Sequence, residues 1–210
     1  LGYPVNLDFT SIFMEGKGDI SLLPSQIFTD KAGVIHSSGD KQSPWIGIAP
    51  FAAHKGKIYP IDKMEKVIQQ LIHTYPQVRL YLFGGGKEET AIMNQWAETY
   101  PQVINASSQL NGLAQELNLM SQLQLMISMD SGNMHLASLV NTPVISIWGA
   151  THPYAGFMGW NQDDANAVQV SLPCRPCSIY GNKPCLRGDY ACLNEIQPEE
   201  IINKVKFILQ

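Results

Sequence analysis

Residues 123–148 read LQLMISMDSGNMHLASLVNTPVISIW, and this stretch decides the fold. Its two ends, 123–129 and 144–148, are short runs dominated by apolar residues, which is the pattern of strands covered on both faces. Between them, residues 134–140 form a mostly apolar segment that we interpret as a helix. A strand, a helix and a second strand in so short a span predict a βαβ unit with parallel strands.

The same alternation continues towards the N-terminus. Short apolar strands are predicted at 45–49 (WIGIA), 80–83 (LYLF) and 103–104. The helices that follow are marked by apolar residues at helical spacing: Ile61, Met64, Val67, Ile68, Leu71 and Ile72; then Ile92, Met93 and Trp96; then Leu113, Leu117 and Met120. Because strands and helices alternate along the chain, we predict an α/β fold built on a doubly wound, Rossmann-like parallel sheet.

The two ends of the chain lack this alternation. Gly, Pro and Ser recur throughout residues 1–44. We interpret residues 1–44 as a lead-in or interdomain segment with one short strand near 33–36. Residues 45–210 are predicted to form the domain, which ends in a helix beginning near Pro198. Before that helix, residues 149–193 form a long segment rich in Gly, Pro and Cys, which we expect to be irregular.

Composition excludes several classes of function. The 210 residues are 45% hydrophobic and 15% charged, as in a globular protein rather than a disordered one. Fourteen basic residues against 18 acidic ones give a formal net charge of −4, which argues against a nucleic-acid partner. Since the sequence has neither a membrane-span pattern nor a signal-peptide pattern, we expect a cytoplasmic protein.

The sharpest polar motif, Asp130-Ser131-Gly132-Asn133, stands directly between a predicted strand and a predicted helix. Ligands of open parallel sheets bind at this edge, beyond the carboxyl ends of the strands. We expect Asp130 or Ser131 to cap the helix, and the free N–H groups of the first turn to form an anion site that Gly132 leaves open. His135 is expected to face the same crevice. The alternative is an ordinary helix cap followed by a satisfied histidine.

Three other predicted strands are followed by polar or glycine-rich loops. The loop at 50–60 carries Lys55 and Lys57, which are either phosphate-binding charges or solvated surface lysines. A glycine triplet precedes Glu88, whose carboxylate either accepts hydrogen bonds from a ribose or belongs to an ordinary acidic first turn. The loop at 149–153 (GATHP) either closes over a ligand or is a simple turn.

Together these segments resemble glycosyltransferase family 9, the ADP-heptose:lipopolysaccharide heptosyltransferases, over about residues 44–205. Residues 130–137 (DSGNMHLA) are similar to the family's D-[ST]-G-x-x-H-L-x block, and 57–60 (KIYP) to its K-x-W-P element. The GGGKE run at 84–88 and the GATHP loop resemble the family's Gly-rich turn and G-P-T-x-P loop. The resemblance implies the donor-binding, C-terminal half of a GT-B fold, with the N-terminal acceptor lobe absent from this chain.

The resemblance also implies roles for individual residues. Lys57 would contact the donor diphosphate and stabilise the departing ADP, and Glu88 would bind the ribose. The diphosphate and sugar would lie against the remaining donor-binding residues, Asp130, Ser131, Gly132 and His135. Weaker donor-binding candidates are Ala53, Asn111 and Gly112. No metal and no cofactor are expected, because no D-x-D motif stands at a strand end.

The implied activity is the inverting transfer of a heptose, or a related sugar, from an ADP-sugar to a lipopolysaccharide core or similar glycolipid. Its acceptor-activating base is expected in the absent lobe, so this chain alone is predicted to bind donor without turnover. The full-length protein is expected to associate peripherally with the inner face of the membrane. Tyr59 stands where the family usually has Trp, and Ala52 and Ala53 where some members have hydroxyl residues. A donor lobe for a UDP- or GDP-sugar is therefore the alternative.

Four cysteines define a Cys-rich loop at 174–192; they are Cys174, Cys177, Cys185 and Cys192. Their spacing, C-x2-C-x7-C-x6-C, is compatible with free thiols, a zinc site or two disulfides. A cytosolic protein would keep them reduced. The cluster, with the nearby basic residues Arg175, Lys183 and Arg187, leaves one further alternative, a zinc-stapled module that binds a protein or nucleic acid without catalysis.

Overall fold

The computed structural model describes residues 8–14, 16–29, 35 and 43–210. In this part of the chain, six strands form a single sheet in the order β3-β2-β1-β4-β5-β6. The strands are β1 Trp45–Ala49, β2 Arg79–Leu82, β3 Val103–Asn105, β4 Leu125–Met129, β5 Val144–Ile147 and β6 Ala167–Val168. All neighbouring strands pair in parallel, which confirms the predicted Rossmann-like α/β fold.

The helices lie between the strands and after them. They are α1 Ile61–Thr74, α2 Lys87–Thr99, α3 Leu113–Gln122, α4 Gly132–Leu139, α5 Ala191–Asn194 and α6 Pro198–Leu209. Strand β6 and all but the last residue of α5 fall in the segment predicted to be irregular, because two and four residues are too few to show a period. Of the strand predicted near 33–36, only Ile35 is described, in an isolated antiparallel bridge to Thr29, and the rest lies outside the described residues.

Apolar side chains cover both faces of the sheet, and this explains why the strands are apolar throughout. Side chains alternate between the two faces of a strand, so Ile46 and Ile48 pack on one face and Trp45 and Ala49 on the other. The first face is covered by α1, α2 and α6, and the second by α3 and α4. Helices on both faces are the arrangement that a doubly wound sheet requires.

Part of the predicted lead-in packs against the second face. Ile27 is fully buried there, and its carbonyl oxygen accepts hydrogen bonds from the Tyr81 hydroxyl at 3.2 Å and from Arg79 Nη2 at 3.1 Å. The division of the chain into a lead-in at 1–44 and a domain at 45–210 stays a prediction.

The strand order reverses between β1 and β4, and this reversal positions the functional site. The chain leaves β1 towards α1 on one face and leaves β4 towards α4 on the opposite face. Loops that diverge in this way open a crevice beyond the carboxyl ends of the two strands. None of the helices built from the described residues is both long and apolar enough to cross a bilayer.

Candidate functional site

A cavity of about 240 Å³ lies at the point where the strand order reverses. Three segments line it: the loop after β1, the start of α4, and the segment that follows β5. The cavity brings together six of the residues that the sequence predicts for the site, which are Ala53, Lys57, Asp130, Ser131, Gly132 and His135. The remaining lining residues are Phe157, Ile179 and Tyr180.

An ion pair joins the two sides of this cavity. The short helical turn Lys55–Lys57 places Lys57 Nζ 3.0 Å from Asp130 Oδ2. The side chains of Lys57 and Asp130 are only 16% and 5% exposed. Because β1 and β4 are neighbours, the loops that carry these residues meet. Without a ligand, Lys57 is therefore a charge already balanced by a carboxylate.

The start of α4 leaves backbone donors open to the cavity. Ser131 stands at the cap position, but its side chain makes no capping hydrogen bond, and the Asp130 carboxylate faces Lys57 instead. The expectation that one of these side chains caps the helix is wrong, because the ion pair and a contact between the hydroxyls of Ser128 and Ser131 take their place. The N–H groups of Ser131, Gly132 and Asn133 have no acceptor within the described ranges.

Gly132 keeps that helix start accessible. A Cβ atom at this position would meet no atom within 4 Å, so the space in front of the backbone is open. Unpaired N–H groups and the positive end of a helix together attract anions. The start of α4 and the ammonium group of Lys57 therefore form an arrangement suited to a phosphate or diphosphate.

Three predicted site residues do not line the cavity. Glu88 is exposed in the first turn of α2, where its neighbour Glu89 accepts a hydrogen bond from the Gly85 N–H at 2.9 Å. Asn111 donates its N–H to Gln115 Oε1 at 2.7 Å, and Gly112 stands at the cap of α3. These residues follow β2 and β3, so they lie at the same edge of the sheet as the cavity. Their assignment to the site stays a prediction.

Thr151 is a residue of the site that the sequence analysis missed. It is fully buried, and its hydroxyl donates to Asp130 Oδ2 at 2.8 Å. One feature of the sequence could have pointed to Thr151: it lies in the GATHP loop, which follows β5, the neighbour of β4. Phe157 and Tyr180 come from the long segment after β5, and no local pattern in the sequence connects them to the cavity.

The Cys-rich loop packs against the side chain of Lys57. Gly181 adopts a φ of +73°, and a Cβ atom there would lie 2.5 Å from Lys57 Cγ. Such a backbone conformation and so close an approach both require glycine. Tyr59 is also fully buried and donates its hydroxyl to the Ile196 carbonyl oxygen at 3.0 Å. The loop after β1 is thus held by residues near the C-terminus.

All four cysteines are free thiols in the structure. Within the described ranges, no group of three or more His, Cys, Asp or Glu side chains is arranged to hold a metal ion. The surroundings of the thiols differ. Backbone N–H groups of Tyr190, and also of Arg187 and Gly188, lower the pKa of Cys185, whereas burial raises the pKa of Cys192.

We expect Cys185 to be alkylated faster than Cys192 by iodoacetamide at neutral pH, because the thiolate is the reactive form. Peptide mass spectrometry over a time course measures both rates. In denaturant the two rates should become similar, since the folded environment causes the difference. Equal rates in the folded protein would contradict this prediction.

Known proteins are similar to this chain in sequence and in fold. Residues 19–185 match the sequence model of Glycosyltransferase family 9 (heptosyltransferase). A curated relative, lipooligosaccharide heptosyltransferase 2 of Campylobacter jejuni, is 26% identical over 137 residues, which cover 62% of this chain and 41% of that protein.

Two solved structures resemble the fold. The E. coli ADP-heptose lps heptosyltransferase II has a TM-score of 0.59 and 19% identity, with 80% of this chain and 47% of that chain covered. The E. coli heptosyltransferase WaaC with ADP has a TM-score of 0.57 and 17% identity, with 81% and 46% covered. This chain therefore spans less than half the length of these relatives. Because the family's sequence model matches most of its residues, the chain belongs to glycosyltransferase family 9, the heptosyltransferase family.

Proposed function

We propose that this chain is the donor-binding half of an inverting glycosyltransferase that takes a heptose, or a related sugar, from an ADP-sugar. One observation carries the proposal: Lys57 and the open start of α4 face one cavity at the point where the strand order reverses. Crevices at this position of an open α/β sheet bind nucleotides. Family membership supports a sugar nucleotide over other phosphate ligands.

In this proposal, the protein assists departure of the diphosphate. The bond between the anomeric carbon of the sugar and the diphosphate oxygen breaks, and the electron pair stays on ADP. Lys57 and the N–H groups of Ser131 and Gly132 stabilise the negative charge that grows there, without rearranging at the moment of reaction. The acceptor hydroxyl attacks the anomeric carbon from the opposite side and loses its proton to a base that we place outside these 210 residues.

The size of the cavity suggests how the donor is divided between loops. At about 240 Å³ it is smaller than the roughly 300–1,000 Å³ of sites that enclose a whole drug-sized ligand. We therefore place the diphosphate and sugar in the cavity, beside Asp130 and His135. The ribose and adenine would extend along the loops after β2 and β3, towards Glu88, Asn111 and Gly112. The ADP complex of the E. coli WaaC protein supports the choice of adenine.

The acceptor in this proposal is a lipopolysaccharide core or a similar glycolipid, as the names of the Campylobacter jejuni relative and of the E. coli ADP-heptose lps heptosyltransferase II suggest. The full-length enzyme would then work in the cytoplasm, at the inner face of the membrane. Because the base and most acceptor contacts would belong to the other lobe, we expect the 210-residue chain to bind donor nucleotide without transferring sugar.

Isothermal titration calorimetry with ADP, AMP, UDP and GDP tests the proposal directly. We expect ADP to bind at least about tenfold more tightly than AMP, because AMP lacks the β-phosphate that Lys57 would contact, and tenfold corresponds to ~1.4 kcal/mol. UDP and GDP should also bind more weakly than ADP. Tighter binding of UDP or GDP would contradict the ADP-sugar assignment, and no binding of any nucleotide diphosphate would contradict the donor site itself.

A further inference from the structure

Two donors share one oxygen of the buried Asp130 carboxylate. Lys57 Nζ lies 3.0 Å from Asp130 Oδ2, and the Thr151 hydroxyl donates to the same oxygen at 2.8 Å. The Thr151 side chain is fully buried, and the Asp130 side chain is only 5% exposed. Water therefore has little access to replace either donor.

The position of Thr151 is held by Arg175 of the Cys-rich loop. Arg175 Nη2 donates to the Thr151 carbonyl oxygen at 2.9 Å, and Arg175 Nε donates to the Gly149 carbonyl oxygen at 2.6 Å. The same guanidinium group also donates to Gln169 Oε1 at 3.0 Å. A planar group with several donors fixes the loop in one geometry, so the Thr151 hydroxyl meets Asp130 in a defined orientation.

A diphosphate that binds at the start of α4 competes with Asp130 for Lys57. When the ammonium group turns to the phosphate, the carboxylate would lose its counter-charge, and a buried carboxylate without a partner is strongly unfavourable. Hydrogen bonds to an ionised acceptor are among the stronger ones in proteins. A hydroxyl that stays on Asp130 Oδ2 keeps this cost low.

We propose that Thr151 is a positioning residue for donor binding: its hydroxyl stays hydrogen-bonded to the Asp130 carboxylate while the ammonium group of Lys57 moves from that carboxylate to the diphosphate. This inference rests on the proposed function. The GATHP loop and the Cys-rich loop then act together in positioning Asp130, because Arg175 connects the two loops. In this scheme Thr151 touches neither the nucleotide nor the sugar.

Calorimetric titration of the 210-residue chain with ADP tests the inference through Thr151→Val, which keeps the shape of the side chain and removes the donor. We expect ADP affinity to fall about tenfold, because in this variant the Asp130 carboxylate keeps neither hydrogen bond once Lys57 has moved to the diphosphate. Thr151→Ser keeps the hydroxyl and should stay within about threefold of the unaltered chain. Circular dichroism and the thermal midpoint check that each variant is folded.

The Asp130→Asn background separates positioning from a merely structural role. Without the carboxylate charge, Thr151→Val should change ADP affinity by less than about threefold. An equal loss in both backgrounds, or an unchanged affinity of Thr151→Val alone, would overturn the inference while leaving the donor site intact. If the unaltered chain does not bind ADP, the proposed function fails and this inference fails with it.

Discussion

Replacing Lys57 by alanine is expected to lower the affinity of the chain for ADP by about 10- to 150-fold. A hydrogen bond between charged groups contributes ~1.5–3 kcal/mol, which corresponds to that range. The loss should exceed this range if the negative charge of Asp130, now without its counter-charge, repels the diphosphate. AMP binding should change less, because AMP lacks the phosphate that Lys57 would reach. Calorimetric titration of both nucleotides measures the difference.

The same substitution should also destabilise the fold, and the two effects can be separated. Removing one partner of a nearly buried ion pair costs about 3 kcal/mol or more. The double variant Lys57→Ala with Asp130→Asn should recover most of this stability in urea unfolding, since no charge is left unpaired, but it should not recover ADP affinity. A double variant that regains binding would show that Lys57 is structural.

Lys55 provides a matched control on the same loop. Its side chain is exposed, and its ammonium group lies 5.0 Å from the centre of the Tyr190 ring, outside the residues that line the cavity. Lys55→Ala removes the same charge from the loop, so it should affect ADP binding only through weak, salt-screened attraction. If Lys55→Ala and Lys57→Ala weaken binding equally, net charge rather than the ion-pair geometry determines affinity.

Gly149→Ala is expected to destabilise the protein by about 3 kcal/mol, which lowers the thermal midpoint by roughly 6–12 °C for a chain of this size. A Cβ atom at Gly149 would lie 2.4 Å from the Gly56 carbonyl oxygen and 2.7 Å from Leu193 Cγ. The Gly56 carbonyl also accepts the Ala150 N–H at 2.8 Å, so it cannot move without breaking that bond. Thermal and urea unfolding measure the loss. Because Gly56 precedes Lys57, ADP affinity should fall as well.

Gly132→Ala is the matched control for this substitution. Its new methyl group would enter open space, and alanine is favoured over glycine in a helix, so stability should be unchanged or higher by up to about 1 kcal/mol. ADP affinity should nevertheless fall by about tenfold, because the methyl group occupies the place proposed for the phosphate.

If Gly149→Ala is as stable as the unaltered chain, the close packing of the two loops is not required. Unchanged ADP affinity in Gly132→Ala would place the phosphate elsewhere.

The regular part of the fold follows from patterns that are local in the sequence. The strands β1 to β5 were predicted within two residues of their observed ends, because each is a short apolar run buried on both faces. The Gln197 backbone N–H donates to Glu200 Oε1 at 2.8 Å, which places the start of α6 where Pro198 predicted it. By contrast β6 was missed, since its two residues are a strand only through their pairing with β5.

Local patterns also indicated which loops carry the candidate ligand-binding residues, but not which of those side chains contact each other. Alternating strands and helices imply parallel strands, and parallel strands collect their following loops at one edge. Only the resemblance to glycosyltransferase family 9 implied that Lys57 and Asp130 both lie against the diphosphate. Three features of the site depend on contacts between loops that are far apart in the chain. Lys57 and Asp130 form an ion pair, Thr151 donates to the same carboxylate oxygen, and Arg175 holds Thr151. Periodicity reports which face of its own element a residue occupies, whereas those contacts are decided by the distances and directions that packing imposes between elements.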